Sequence, residues 1–404
     1  MGDPVFWTGL VTLVGAAAAV ASRRFHVPAA CGALVSAAAL AQALGLSSRL
    51  AEIPYAADGV RLTAFMALAL LCLLAGAEIQ PGALAGAARS LMIGVVAQAA
   101  AVGLAVFATG RALGMPSPEA ALLAAAALAA SPAAIVAATT EGRARGATTQ
   151  RALLLSSFSV ALSVLAVSLL DARAQRPWQD VLSGLPLSLL LGCIGGLAIV
   201  VPLSRMTSRP AIVACLGAGC LLMVGLARAA TEGQGHLVVM TLTAGLAMGS
   251  LCANRTLVRE ALRDLAFPCA IVFFALSGTA LPDTPLSMIT FGAVAVFAAR
   301  ALALGAVAAF TRGTKRGLSE AATLFPMMPV APVAASGATL AMPLVAGAFV
   351  QQGDGQQGEL AAILLGAAML SVVVGTIATR RALARAGEMA DLAEDPESWR
   401  ASMR

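Results

Sequence analysis

Residues 119–140, EAALLAAAALAASPAAIVAATT, form an apolar stretch long enough to cross a bilayer, and Ser131-Pro132 interrupts it near its middle. Proline removes a backbone donor and clashes with the preceding helical turn. At membrane depth, loosened backbone is tolerated only where it lines a cavity or is buried in protein. The stretch therefore predicts either a discontinuous helix beside a solute path or a structural helix with a kink.

A second apolar stretch, residues 319–349, is too long for one simple crossing and contains a cluster of helix-breaking residues. In chain order these are Pro326, Pro329, Pro332, Ser336 and Gly337. Paired interruptions in the two halves of a transporter are the best sequence indication of a binding site at the bilayer midplane. Together the two stretches favour a transporter with two discontinuous crossing helices, and the alternative is a pair of kinked structural helices.

The composition of the chain predicts an all-α integral membrane protein. Of its 404 residues, 59% are hydrophobic and 11% are charged, whereas soluble domains carry about 25% charged residues. The hydropathy predicts about 13 transmembrane helices in one inverted-repeat transporter domain, residues 1–385, followed by a short cytoplasmic tail, residues 386–404. The predicted spans are 5–22, 27–45, 60–77, 91–110, 119–140, 152–170, 181–202, 210–227, 237–253, 265–281, 285–310, 319–349 and 360–379.

The distribution of basic residues predicts the orientation of the chain. Nineteen of the 26 lysines and arginines lie in loops after odd-numbered spans or in the tail, and six lie on the opposite side. Because cytoplasmic loops are enriched in Lys and Arg, we expect the N-terminus outside and the C-terminus in the cytoplasm, in the plasma (inner) membrane. These residues form no basic stripe interleaved with aromatics, so no nucleic-acid partner is expected.

The sequence has no pattern that is typical of an enzyme. At membrane depth it offers no paired carboxylates, nucleophile elbow or phosphate loop. Its seven cysteines have no CxxC spacing, and only two histidines are present, so no metal site is expected either. We therefore expect no catalytic residues, no metal and no cofactor.

Each interrupted span has a neighbour with unusual polarity. The sixth span contains Ser156, Ser157, Ser159 and Ser163 among apolar residues, and these hydroxyls either bond their own backbone one turn back or face the solute. The eleventh span contains Arg300 near its centre. A charge there costs about 3 kcal/mol or more, so it must face a cavity or a partner. Arg300 either tethers loosened carbonyls of the twelfth span or contacts the solute.

Several segments resemble the monovalent cation:proton antiporter superfamily, which has the sodium/proton exchanger fold. They are Leu71–Pro81, similar to the helix end FLxGLExDP; Ala130–Ala134, similar to the TSP/TDP break of the first crossover helix; Phe267–Gly278, similar to PxFFxxxGL; Arg300, where the family keeps a basic residue; and Pro326–Gly337, at the break of the second crossover helix. The resemblance implies a homodimer in which each chain folds as two inverted repeats, with a core domain that moves against a dimer-contacting panel.

The chain departs from this family in the helix after the first break. There the family carries an Asp-Asp or Asn-Asp pair that binds the cation and the proton in turn, and the resemblance places that pair within positions 159–161. No acid occurs between Glu141 and Asp171. A carboxylate in a desolvated site can bind either a cation or a proton near neutral pH. An antiporter would therefore need another acid, and Glu78 and Glu320 are the nearest to membrane depth.

Three functions stay open at this point. The first is a divergent antiporter that exchanges a monovalent cation, sodium or potassium, for protons across the lipid bilayer. The second is a carrier for a small anion or neutral solute without the standard proton coupling, since Arg300 leaves the midplane positive. The third is a transport-inactive membrane scaffold or regulatory subunit. The candidate ion-binding residues are Ser131, Pro132, Ser157, Ser159, Arg300, Pro329 and Ser336, with Glu78 and Glu320 as alternative acids.

Overall fold

The computed structural model describes most of the chain. The described ranges are 4–24, 29–44, 56–79, 81–128, 132–144, 152–159, 162–163, 178–230, 235–278, 286–313 and 355–385, together with residues 146, 149, 166, 170 and 387–388. Span 319–349, with Glu320, Pro329 and Ser336, lies outside the described residues, as does Ser131. The prediction of a second interrupted helix therefore falls outside them as well.

The regular secondary structure of the described residues is helical throughout. The helices are α1 (Pro4–Arg24), α2 (Ala29–Leu44), α3 (Ala56–Glu78), α4 (Pro81–Ala112), α5 (Ser117–Ala127), α6 (Pro132–Glu141), α7 (Trp178–Leu203), α8 (Arg209–Ala230), α9 (Gly235–Leu251), α10 (Arg255–Gly278), α11 (Leu286–Gly313) and α12 (Gly355–Arg385). Residues 152–159 of the sixth span are helical as well. The all-α fold class is thereby confirmed.

The described helices include segments that can cross a membrane. Three are long and apolar enough by themselves, Ile93–Ala112, Pro186–Leu203 and Arg209–Ala229, and shorter apolar segments occur in α1, α2, α3, α9, α11 and α12. Two helices extend beyond their predicted spans, because α4 and α10 each begin ten residues earlier than the hydropathy indicated. Hydropathy detects only the apolar part of a helix, whereas helical hydrogen bonding continues into the polar residues that flank it.

The first predicted interruption is present. The fifth span consists of two short helices, since α5 ends at Ala127 and α6 begins at Pro132. Proline is favoured in the first turn of a helix, where its missing N–H leaves no hydrogen bond unmade. The same residue therefore prevents one continuous helix and begins the second half.

The helices form two packed groups, each with its own apolar cluster. The first group, which we call the panel, consists of α1–α3 and α7–α10. The second, which we call the core domain, consists of α4, α5, the later part of the sixth span, α11 and α12, and α6 joins it through its contacts with α12. Residues 135–137 of α6 and 152–153 of the sixth span pack against the panel. The first half of the sixth span and α6 therefore lie where the two groups meet.

Small residues hold the centre of the panel together. The helix α9 packs between α3 and α7. A Cβ atom on Gly245 of α9 would overlap the carbonyl oxygen of Leu73, and one on Gly76 of α3 would overlap that of Leu242. Such glycine contacts let helix backbones approach closely inside a membrane, where van der Waals packing stabilises association.

Candidate ion-translocation site

A serine hydroxyl of the sixth span donates a hydrogen bond to the end of α5, at the interruption between α5 and α6. The last carbonyls of a helix have no partner within the helix itself. Here Ser163 Oγ donates to the carbonyl of Ala125 at 2.8 Å and lies 3.4 Å from that of Ala126. Ser163 is itself buried. The break is therefore hydrogen-bonded to the sixth span, the helix in which the family resemblance places the ion-binding pair.

The other serines of the sixth span bond their own helix. Ser156 and Ser157 each donate to the carbonyl of Leu153 at 2.8 Å, and Ser159 donates to that of Leu155 at 2.8 Å. Ser156 and Ser159 are buried, whereas Ser157 is half-buried. These contacts agree with the packing interpretation of the hydroxyls, although each oxygen keeps lone pairs that can accept further hydrogen bonds.

Arg300 faces the protein interior and not the lipid. It lies near the middle of α11 and is 3% exposed. It shares a helix face with Val296 and Leu304, which pack in the cluster that contains the end of α5. The exposed residues of α11, such as Phe291 and Leu302, occupy other positions around the helix. The structure thus places the guanidinium inside the core domain, on the buried side of α11, a helix that packs against α4 and α12.

A polar cavity of about 660 Å³ opens between the panel and the core domain. The panel contributes residues of α3 and α10, and the core domain contributes α6, the loop after it and the start of the sixth span. Its lining residues are Leu74, Glu78, Val136, Thr139, Thr140, Arg143, Ala144, Gly146, Thr149, Leu153, Arg259, Arg263 and Asp264. Apolar side chains of α3, α6 and the sixth span (Leu74, Val136 and Leu153) complete the lining.

Two arginines of α10 organise the panel wall of this cavity. Arg263 Nη2 lies 2.6 Å from Glu78 Oε1, and Arg263 Nε donates to the same oxygen at 2.7 Å. Arg259 Nε donates to the carbonyl of Ala77 at 2.9 Å, and its Nη2 lies 3.4 Å from that of Gly249. Both carbonyls lie in the last turns of α3 and α9. A positive charge is favourable there, since it hydrogen-bonds the terminal carbonyls and is attracted to the negative, C-terminal ends of the helix dipoles.

Two carboxylates connect segments that are distant in sequence. Glu388, just after α12, accepts hydrogen bonds from the backbone N–H and the hydroxyl of Thr149, each at 2.9 Å. Glu141, the last residue of α6, accepts one from the backbone N–H of Ala29 at 3.2 Å. These bonds join the loops after the first and fifth spans and the chain after α12 at one end of the molecule. The loops that the topology prediction assigns to one side of the membrane therefore share one face.

The comparison with known proteins agrees with this architecture. A family model described as the transmembrane sodium/hydrogen exchanger matches residues 9–385. The chain belongs to the sodium/hydrogen exchanger family. It is therefore a multi-pass membrane protein of the monovalent cation:proton antiporter superfamily, and this prediction is confirmed.

Solved structures share the fold of this exchanger-family chain. The sodium proton antiporter MjNhaP1 from Methanocaldococcus jannaschii at pH 8 aligns with a TM-score of 0.63 and 14% identity, covering 95% of this chain and 97% of the other. An electron-microscopy structure of MjNhaP1 gives a TM-score of 0.63 and 14% identity, covering 97% and 98%. At this identity the likeness shows the fold alone. No curated protein sequence matches the chain.

Hydropathy alone did not locate the cavity of this exchanger-family protein. Arg259 and Arg263 were assigned to a loop because the predicted tenth span began at residue 265. They are one turn apart in α10, with Val258 and Leu262 buried beside them. This amphipathic spacing was the available signal. Of the predicted site residues, the structure places Glu78 on the cavity, Ser157 and Ser159 further along the sixth span, and Pro132 at the start of α6.

Proposed function

We propose that the protein is a secondary antiporter that exchanges a monovalent cation, sodium or potassium, for protons, and that Glu78 is its coupling acid. The observation that carries the proposal is the position of Glu78, a half-buried carboxylate on the wall of the cavity between panel and core domain. The sixth span offers no acid for this role. Glu78 was one of the two alternative acids, and Glu320, the other, lies outside the described residues.

The geometry suggests how Glu78 can exchange its ligands. In this structure its carboxylate binds the guanidinium of Arg263. A cation or a proton that reaches the cavity competes with Arg263 for the same oxygens. A movement of the core domain against the panel would then expose the loaded site to the other side, as alternating access requires.

The decisive experiment is flux in proteoliposomes. The purified protein is reconstituted and tested with sodium, potassium and chloride gradients, with and without an imposed pH difference. We expect cation-dependent proton movement, reduced at least about a hundredfold in Glu78→Gln because the amide cannot take up and release a proton. Asp264→Asn is the matched control, because Asp264 also lines the cavity but is largely exposed. Equal loss in both variants would contradict the role of Glu78.

A carrier for a small anion is the second candidate. It is favoured by the three arginines on the cavity, Arg143, Arg259 and Arg263, which outnumber the acids Glu78 and Asp264. Chloride or phosphate flux without proton movement in the same vesicles would support it. The absence of flux for every ion would favour the transport-inactive scaffold.

We also propose the orientation and assembly implied by the sequence. The N-terminus is outside, the C-terminus is in the cytoplasm of the plasma (inner) membrane, and two chains form a homodimer. The shared face of the basic loops supports this sidedness. Ser402→Cys should add no labelling by a membrane-impermeant maleimide in intact cells, beyond that of the native cysteines, and should add labelling after lysis. In mild detergent, the protein mass should be twice the 40.3 kDa of one chain. Labelling from outside, or a monomer mass, would contradict the respective claim.

A further inference from the structure

Gln98 is a buried polar residue whose side-chain oxygen makes no stabilising hydrogen bond within the described part of the fold. It lies on α4, is 2% exposed, and its Oε1 accepts no hydrogen bond within the part of the chain that the structure describes. Its neighbours on the same helix face, Val95, Val102 and Val106, are buried and apolar. A buried amide oxygen without a donor is unfavourable and uncommon in native proteins, so it calls for an explanation.

The packing of α4 places Gln98 at the junction of the core domain. Val95, one turn before it, packs with Leu155 of the sixth span and Val307 of α11. Val102, one turn after it, belongs to the cluster that contains the end of α5. Gln98 therefore lies between the contact with the sixth span and the contact with the interrupted helix.

The direction of the helices brings Gln98 level with Ser159. The fourth and sixth spans are two crossings apart, so they run in the same direction through the membrane. Since Val95 packs with Leu155, we place the residues one turn further along each helix, Gln98 and Ser159, at about the same depth. The eleventh span runs in the opposite direction, so Arg300 lies about one turn further along the same junction than Gln98 and Ser159.

Two oxygen acceptors lie at this depth. Ser159 uses its proton on the carbonyl of Leu155, so its oxygen can only accept further hydrogen bonds or bind a cation. The Oε1 of Gln98 is likewise an acceptor. Hard cations and water bind to such oxygens.

We infer that Gln98 supplies an uncharged oxygen ligand, directly or through one water, to the monovalent cation in the core domain at the depth of Ser159. This inference deepens the proposed function and rests on it for the identity of the ion. It assigns to α4 a binding role in the core domain that supplements the exchange of cation and proton at Glu78. Gln98 is then a specificity residue, since its oxygen contributes no charge and cannot titrate.

The test separates binding from transport. Thermal unfolding of the detergent-solubilised protein is measured in sodium chloride, potassium chloride and choline chloride. Gln98→Met keeps the side-chain length and removes the acceptor. We expect wild-type-like or higher stability in choline, loss of the cation-dependent shift in unfolding temperature, and about a tenfold higher half-saturation for cation flux, as the loss of one ligand predicts. Thr241→Val, which removes a buried hydroxyl from the panel, is the control and should retain both.

The outcomes distinguish this inference from the antiport proposal. Wild-type flux with an unchanged half-saturation in Gln98→Met overturns the role of Gln98 and leaves antiport intact. A cation-dependent shift that is lost in Gln98→Met, in a wild-type protein without flux, overturns antiport and supports Gln98. No shift and no flux in the wild type overturns both. If Gln98→Met does not fold, Gln98→Glu decides: the pH dependence of the cation half-saturation should differ from that of the wild type, and a half-saturation equal to that of the wild type at every pH rejects the inference.

Discussion

Glu78 and Arg263 join the end of α3 to α10, 2.6 Å apart between Oε1 and Nη2 and separated by 185 residues in sequence. One turn before Arg263, Arg259 binds the backbone at the ends of α3 and α9. The coupling acid that we propose is therefore part of the contact that anchors these helix ends. Loading and release at Glu78 must change this contact, so the cavity is connected directly to the packing of the panel.

The Glu78–Arg263 pair can be tested by exchanging its charges. Glu78→Arg and Arg263→Glu each place like charges together and should lower the free energy of unfolding by about 1 kcal/mol, since the pair is partly exposed. The double variant should recover most of this loss in a double-mutant cycle. Denaturant titration in detergent micelles measures it. Additive losses would mean that the two side chains do not interact.

Arg259 should contribute more to stability than its exposed neighbour Arg255. Arg259→Ala leaves carbonyls at two helix ends without their charged donor and should cost about 2 kcal/mol. Arg259→Lys should lose part of this stabilisation, since an ammonium group lacks the planar fork of donors that contacts both carbonyls. Arg255→Ala, on the solvent side of the first turn of α10, should change the free energy of unfolding by less than about 0.5 kcal/mol. Equal effects at the two positions would contradict the capping role.

The centre of the panel should tolerate no side chain at Gly245. A methyl group there would overlap the carbonyl oxygen of Leu73 in α3, so Gly245→Ala should destabilise the protein by about 1–3 kcal/mol. Gly225→Ala is the control, because a Cβ atom at Gly225 has no neighbour within 4 Å. Alanine should be neutral there or stabilise α8 by up to about 1 kcal/mol. Gly245→Ala should unfold at a lower temperature than Gly225→Ala, and the reverse order would contradict the prediction.

Ser163 should matter for the interruption in a way that Ser156 does not. Ser163→Ala removes the donor to the end of α5 and should cost about 1 kcal/mol. It should also speed hydrogen exchange of residues 120–128. Ser156→Ala removes a hydroxyl that bonds only its own helix and should have little effect. Unchanged exchange in Ser163→Ala would show that the break does not depend on this bond.

An acid introduced at position 159 tests the role of Arg300. If the protein is a cation antiporter, Ser159→Asp restores the acid where the family resemblance expects one. It should then be tolerated and should raise cation:proton flux. If the protein carries anions, the new carboxylate should form an ion pair with the guanidinium of Arg300, displace the anion and abolish anion flux. Ser157→Asp, at a half-buried position of the same span, is the control, and the measurement is ion flux in proteoliposomes.

The sequence alone predicted features that depend on one segment at a time. The apolar spans, the break at Ser131-Pro132, the buried charge at position 300 and the exchanger family all followed from local composition or motifs. Transfer of a segment into lipid is a property of that segment, and proline interrupts a helix wherever the helix is placed. These expectations therefore needed no knowledge of which helices are neighbours.

Only the tertiary structure decided which polar groups meet. Glu78 was one of two candidate acids until α10 placed Arg263 against it, and Gln98 was an unremarked residue of the fourth span until packing buried it. Ser163 is one of four serines in the sixth span, and it is the one that donates a hydrogen bond to the end of α5. Each of these relationships depends on the rotation and depth of two or three helices relative to one another. Hydropathy averages over helix faces and therefore carries no information about them.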